Sequence, residues 1–486
     1  SSGAGLAIKA ASLDFGDNAA LNGSADLALN VRGGPMQFGD DAQLRGGTIA
    51  VVGGGDIHAG SGLSAEAAGL LKIDAGEAIN LGTNALLSSS AGALTINGAS
   101  LNVGGGARLS AFDALNLDIA GNTLFGSEAA LAARSILVSA GARLAFGDDA
   151  TLTGNAGDIT LTAATLTFGG RAGLNAGGGL ALNSLGGDVR FGGGADLRGA
   201  TLTIRAARDL RFGDNAVLDT AGALSFAAGN DLFLGNAAVL RGGDIGFASA
   251  GAILVGDSFD ARAGTGFTAV AVRSFETRAG TAIGAGTMIG VEAASITMGE
   301  ASNLVAAGGI ALAARTGDIR FGDAATLNGA ALSLTAAQEL AFGTNATVEA
   351  GAADLWAGET LAAGQGAKLW VHAGDLVLSG ASVDIAAGAA LSASEKLAIV
   401  SRAADVRLGR NVALAGADVS AAAATGLDIG SGARIAAGNA IAFHAEGGAL
   451  SFGEGVAVMA DAARLFARDG LVFGKGASVE LDGSLM

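Results

Sequence analysis

The chain has 486 residues, of which 83 are Gly, one is Pro and none is Cys or Tyr. Without Cys it forms no disulfide and no thiolate metal site. Its net charge of −17, from 28 basic and 45 acidic residues, argues against nucleic acid and anionic membrane as partners, since both need basic patches.

Half of the residues are hydrophobic, so a core can form and the chain is not a flexible Gly-rich linker. No run approaches the roughly 18 apolar residues of a transmembrane helix. Ser1-Ser2-Gly3-Ala4 has neither the basic start nor the apolar stretch of a signal peptide. Ser1 fits a processed chain, a fragment, or loss of an initiator Met.

In chain order, the first clear element is Phe15-Gly16-Asp17-Asn18-Ala19-Ala20-Leu21. The pattern returns at Phe38, Ala59, Leu81, Val103 and Phe125, and continues to Phe452 and Phe473. Its general form is a large apolar residue, Gly, any residue, Asn/Asp/Gly, Ala, any residue, Leu. Between 15 and 473 there are 22 copies, every interval lies between 21 and 23, and the mean is about 21.8. A period of this size marks a solenoid or array rather than the three globular domains that the length would otherwise give.

The first position is Phe at Phe15, Phe38, Phe125, Phe146, Phe168, Phe191, Phe212, Phe321, Phe342, Phe452 and Phe473, which predicts an inward ladder of rings. The second is Gly in 20 of 22 copies, for example Gly16, Gly39, Gly147, Gly213, Gly322, Gly343 and Gly453, with Arg278 and Ala386 as exceptions. That demands either a positive φ or a close chain approach. The fifth is Ala in 16 copies, as expected at a tight corner, and the seventh is aliphatic in 20. Asp or Asn at the fourth position is expected to cap the turn or bond along its own column.

Around each copy, apolar residues alternate with polar ones, as in Asp209-Leu210-Arg211-Phe212 and Thr201-Leu202-Thr203-Ile204. This is the period of a strand. The expected fold is all-β: a single-stranded parallel β-helix, right-handed, of about 22 coils with three short strands each. At about 4.8 Å per coil it would extend over roughly 105 Å. The Ala-rich run from Ser420 to Thr425 reads as part of a coil, because the spacing holds on both sides. One continuous solenoid over residues 1–486 is expected, with irregular coils around 255–298. There Phe259, Phe267 and Phe275 leave the Phe column, Ala261 replaces the seventh-position aliphatic, and Arg278 replaces the Gly.

This repeat style, including Leu180-Ala181-Leu182-Asn183 and Ile310-Ala311-Leu312-Ala313-Ala314 ahead of Gly turns, resembles the filamentous haemagglutinin family of bacterial exoproteins and, more loosely, autotransporter passengers. The resemblance covers essentially the whole chain. It implies a right-handed β-helix carried through an outer-membrane pore and displayed outside the cell. The family's amino-terminal secretion domain with its Asn-Pro motif is not seen, since the only Pro is Pro35, nor is a Tyr-rich barrel. The expectation is therefore the shaft of a larger precursor, a processed form of one, or a relative exported by another route.

Candidates for chemistry are few. His58, His372 and His444 fall on different coils and cannot share a site. Asp17, Asp41, Asp149 and Asp214 recur at turns and are weak calcium candidates, although calcium needs six to eight oxygens. No other cofactor is expected. Trp356 and Trp370 lie less than one motif interval apart and could form one aromatic patch, but separate packing is favoured. Thr pairs such as Thr160/Thr162 and Thr201/Thr203 do not recur on successive coils, as an ice-binding face would require. A constant spacing leaves no room for the loops that build a catalytic cleft, so no enzyme is expected.

The pattern runs from Leu13 or earlier to Val479-Glu480-Leu481 without polar caps, so further solenoid of the same precursor, or copies of the chain stacked end to end, are the expected partners. A host or neighbouring-cell surface is a further candidate partner. The function expected is an extracellular structural element at a bacterial surface, forming a secreted or cell-surface fibre or the shaft of an adhesin. The alternative is a carbohydrate-binding or polysaccharide-processing β-helix.

Overall fold

The computed structural model describes residues 5–482, which contain strands and turns and no helix. The protein is an all-β solenoid. Its coils follow the sequence period, and strands pair in parallel with their equivalents one coil away, as Leu6–Ala10 does with Asp26–Val31. The chain divides into two compact units, Ser1–Gly243 and Asp244–Met486. Each unit holds eleven copies of the motif.

Alternation sets the register. In Leu202, Ile204, Leu210 and Phe212 every second side chain points inward and is at most 4% exposed, while Thr203 and Arg211 between them face outward. Parallel pairing without slip then stacks like on like: Leu166 over Leu144, Phe168 over Phe146. A one-residue slip would move every apolar side chain to solvent, which is why the register is so strongly specified.

Two of the three strands in a coil belong to one sheet and the third, which ends at the first motif position, to another. Most coils have three short strands. In five, the two neighbouring strands fuse into a single long one: Asn303–Ala314, Thr326–Ala336, Thr347–Ala357, Ala413–Ala423 and Arg434–Ala445. The Ala-rich run from Ser420 lies in the fourth of these. The fused strands cross the corner at Gly and Ala, such as Gly329 and Ala330. Small side chains let the ladder bend there with only a local shift of register, as between Ala306 and Gly309.

Within unit 1, the rings of Phe125, Phe146, Phe168, Phe191 and Phe212 stack nearly parallel, with centroids 4.5–5.3 Å apart and interplanar angles of 1–5°. Phe15 and Phe38 form a separate pair at 5.3 Å. In unit 2, Phe321 pairs with Phe342 at 5.2 Å and Phe452 with Phe473 at 4.8 Å.

The coil from Phe259 to Thr277 keeps its register with the coil that follows. Phe259, Phe267 and Phe275 are buried to within 1% exposure. Each is followed two residues later by a small inward residue, Ala261, Ala269 or Thr277, itself buried. The irregularity redistributes core volume, and on the outward side of the same coils Val270, Val272 and Met288 are exposed, with Thr268, Val270, Gly290 and Glu292 lining a shallow groove of about 320 Å³.

Candidate functional site

The element repeated in every coil is the corner that follows the first motif position. The fourth position has a positive φ, 53° to 74°, in all 22 copies, from Asn18 at 57° to Gly476 at 73°. Gly fills it in nine copies, and Asn or Asp, the side chains that best tolerate this region, fill seven. Ala237, Ala301 and Ala324 adopt it as well, at 53–55°.

The second-position Gly answers a different demand. Its φ is not positive. A Cβ added at Gly39 would lie 2.5 Å from the Asp17 nitrogen, at Gly147 2.5 Å from the Ser127 nitrogen, and at Gly213 2.6 Å from the Gly193 nitrogen. Gly322, Gly343 and Gly453 meet the preceding coil at 2.5–2.6 Å in the same way, whereas Gly16 has nothing within 4 Å. Of the two possibilities the sequence leaves open, close chain approach is the cause. Arg278 and Ala386 keep the coil-to-coil amide bonds there, to the Val255 and Ala363 carbonyls at 3.1 and 2.8 Å. The fifth-position Ala is fully buried wherever it lies deep in the stack, for example Ala150, Ala216 and Ala346.

Bonds to the backbone amides along the column come from the third position rather than the fourth. The carboxylate of Asp17 accepts the Asp40 amide at 2.9 Å, Asp40 accepts Ser61, Asp148 accepts Gly170, Asp214 accepts Asn236 and Asp323 accepts Thr344, all at 2.6–2.9 Å. Each Asp satisfies the amide of the equivalent turn one coil on. The fourth position bonds along its own column where the next coil offers a side-chain donor, as Asp149 does with Arg171.

A second such ladder stands three residues before the motif. Asp188 accepts the Asp209 amide at 3.1 Å, Asp209 accepts Asp231 at 3.3 Å, and Asp318 accepts Glu339 at 2.9 Å. These Asp residues also pair with an Arg two residues on: Asp188 with Arg190, Asp209 with Arg211, Asp318 with Arg320 and Asp405 with Arg407, at 2.7–3.0 Å. The recurring Asp-aliphatic-Arg at a fixed offset from the motif is the sequence signal for this ladder.

Of the calcium candidates, Asp17 and Asp214 are third-position ladder members. Asp41 and Asp149 occupy the fourth position, with φ of 56° and 58°. Arg171 grips Asp149 through two hydrogen bonds of 2.6 and 2.5 Å, and this contact holds the carboxyl below the usual carboxylate range. Among the described residues, no three His, Cys, Asp or Glu side chains come together in a group that could hold a metal ion. His58 lies 3.3 Å from the Asn80 amide, and the His444 ring stacks on Phe466 at 4.5 Å.

The two Trp side chains have separate neighbours. The Arg402 guanidinium lies 4.7 Å from the Trp356 ring centre, and the same guanidinium donates to the Ala357 carbonyl two coils away. The Lys368 ammonium lies 5.5 Å from the Trp370 ring centre. Trp370 pairs with Glu349, seven residues before Trp356 on the strand Thr347–Ala357, so they form no common patch.

One feature of unit 2 escaped the sequence. Where the fused strands cross the corner, a groove of about 480 Å³ opens between Val305 and His372, with Asn328 and Glu349 on its side. The residues that make it are small, and their spacing gives no signal distinct from the turns of other coils. No known protein-family model, curated protein or solved structure matches this chain. What the fold and its corners define is the class: a β-solenoid in which each copy of the motif supplies one coil.

Proposed function

We propose that this chain is a non-enzymatic structural solenoid, exported from a bacterial cell and used as the shaft of a large adhesin or as the subunit of a surface fibre. The observation that carries the reading is regularity. In each unit eleven copies of the motif keep a near-constant spacing with in-register pairing, and the turns are too short to build a cleft over the sheets. The repeat style supports a relationship in kind to the filamentous haemagglutinin-like exoproteins and to autotransporter passengers. Copies of the chain stacked end to end, or further solenoid of the same precursor, are the partners this reading calls for. Parallel strands at a coil edge offer amides and carbonyls to such a neighbour.

Electron microscopy of the purified chain tests the choice between the two forms. Fibres with an axial repeat close to the length of one chain support end-to-end stacking, whereas isolated particles of one length leave only the shaft. Surface labelling of intact producing cells tests display, and a chain found only inside the cell removes the proposal. Turnover of acidic polysaccharides by the purified protein would remove its non-enzymatic part.

A further inference from the structure

We propose that the groove in unit 2 beside Trp370 binds a short neutral or amino-sugar oligosaccharide. The groove runs across the strands Asn303–Ala314, Thr326–Ala336 and Thr347–Ala357 and ends at His372. Its floor is Ala and Gly, including Ala330 and Gly351. That flat surface lets a sugar ring come close to the backbone.

Asn328, Glu349 and His372 line the groove, and Trp370 stands one coil step beyond Glu349 at its edge. Trp370 pairs in register with Glu349, which pairs with Asn328. The three therefore step along one outward column, about 4.8 Å apart. Lys368 and Trp370 alternate with buried Leu369 and Val371 and so face outward, and the exposed His372 follows directly after the strand and lines the groove. Trp is rare here, with two in 486 residues, and Trp370 stands half-buried at an outward position.

The polar groups are not used up by the protein. The carboxylate of Glu349 takes one long side-chain hydrogen bond, 3.4 Å from the Asn328 amide, and has no cation partner among the described residues. Neither the indole N–H of Trp370 nor the ring of His372 has a hydrogen-bond partner among them. With the Lys368 ammonium 5.5 Å from its ring centre, Trp370 offers its other face beside a carboxylate, an amide and an imidazole, which matches a pyranose with its apolar C–H face and rim of hydroxyls. From Asn328 to Trp370 is two coil steps, about 10 Å, or about two sugar rings. The Glu349 carboxylate and the net charge of −17 disfavour uronic and sialic acids. The site rests on its own side chains and not on the fibre reading, so sugar binding without fibres and fibres without sugar binding are separate outcomes.

The test uses the full chain on an array of neutral, amino and acidic glycans, with the best hit then titrated by calorimetry. Neutral or amino-sugar glycans are expected to bind. Trp370→Ala is expected to weaken the best hit about tenfold, with Trp370→Phe recovering most of the loss. Glu349→Ala is expected to weaken it as well. In Trp356→Phe, where Trp370 is the sole indole, the same sugar should shift the fluorescence saturably, which reads the site with Trp370 intact. An empty array, a preference for acidic glycans, a loss in Trp370→Ala that Trp370→Phe does not repair, or binding unchanged in Trp370→Ala overturns the proposal.

Discussion

Two coils show how the solenoid fills its core. In unit 1, the coil from Ala195 to Phe212 points Ala195, Leu197, Leu202, Ile204, Leu210 and Phe212 inward. In unit 2, the coil from Phe259 to Thr277 points Phe259, Ala261, Phe267, Ala269, Phe275 and Thr277 to the same six positions. The first follows the repeat. The second carries, in each of its three segments, a ring followed two residues later by a small side chain. All twelve residues are buried. What the fold demands is therefore a filled cross-section in register, and which column supplies the volume is free to change. Close packing punishes an unfilled space far more than a rearranged one. The units differ likewise in their rings: seven of eleven first positions are Phe in unit 1 and four of eleven in unit 2, where Phe267 meets Phe247 edge-on at 5.4 Å and 83°.

The largest expected effects test that exchange. Phe259→Ala should cost about 3–5 kcal/mol, because the neighbouring Ala261 cannot fill the space. Adding Ala261→Leu restores the regular Ala-x-Leu and should recover about 1–3 kcal/mol of the loss, seen as non-additivity in a double-mutant cycle followed by urea unfolding. Phe191→Ala, in the middle of the unit 1 stack, should cost a similar amount, about 3–5 kcal/mol, with no partner position able to rescue it. If Ala261→Leu brings no recovery, the volumes are not exchanged and the comparison fails.

Buried hydroxyls give a smaller contrast of opposite sign. Thr123 replaces an aliphatic between Leu101 and Leu144 in unit 1, is fully buried, and its Oγ1 has no partner. Thr281 in unit 2 is equally buried, but its hydroxyl donates to the Arg278 carbonyl at 3.0 Å. Thr123→Val should stabilise by about 1 kcal/mol, since it removes an unsatisfied group without opening a cavity. Thr281→Val should destabilise by about 1 kcal/mol. Equal shifts in urea midpoint for the two variants would show that the hydroxyls are not in the environments described.

How much of this was legible follows from the same physics. Strand alternation and the even spacing of the motif are demands of the backbone, so the strands, the parallel stacking and the inward Phe column could be read directly. The exchange at Phe259, Phe267 and Phe275 could also be read, once Ala261, Ala269 and Thr277 are noticed two residues after each ring. The fused strands could not. Gly329-Ala330 and Gly416-Ala417 look like turns, because small residues serve equally in a turn and in a bent strand, and the choice is made by neighbours one coil away. The groove inherits this ambiguity. Its side chains Asn328, Glu349 and His372, with Trp370 at the edge, are scattered over successive coils and come together only through register. The ladder carboxylates were visible as turn residues, but third and fourth positions differ in φ, which spacing does not report.

The smallest expected effect concerns those carboxylates and acid. Asp209 in unit 1 and Asp405 in unit 2 stand at the same offset, and both have a pKa below the ordinary 3.8. For Asp209, burial works against the charged form and is outweighed by hydrogen bonds from Arg211 and the Asp231 amide. For Asp405, the Thr425 hydroxyl and the Gly426 amide act first and burial opposes them less. A carboxyl whose pKa is lowered on folding adds stability above its unfolded value, and that stability is lost as pH falls through 3.8 toward the folded value. The protein should therefore lose stability below about pH 4. The drop in melting temperature between pH 7 and pH 3 should be smaller in Asp405→Asn than in the wild type, and less affected by Asp209→Asn. Each difference should stay below about 1 kcal/mol, because the Arg partners are exposed to water and salt. A drop that is identical in all three proteins would mean that the ladder contributes to geometry alone, since amide and carboxylate would then hold the next coil equally well.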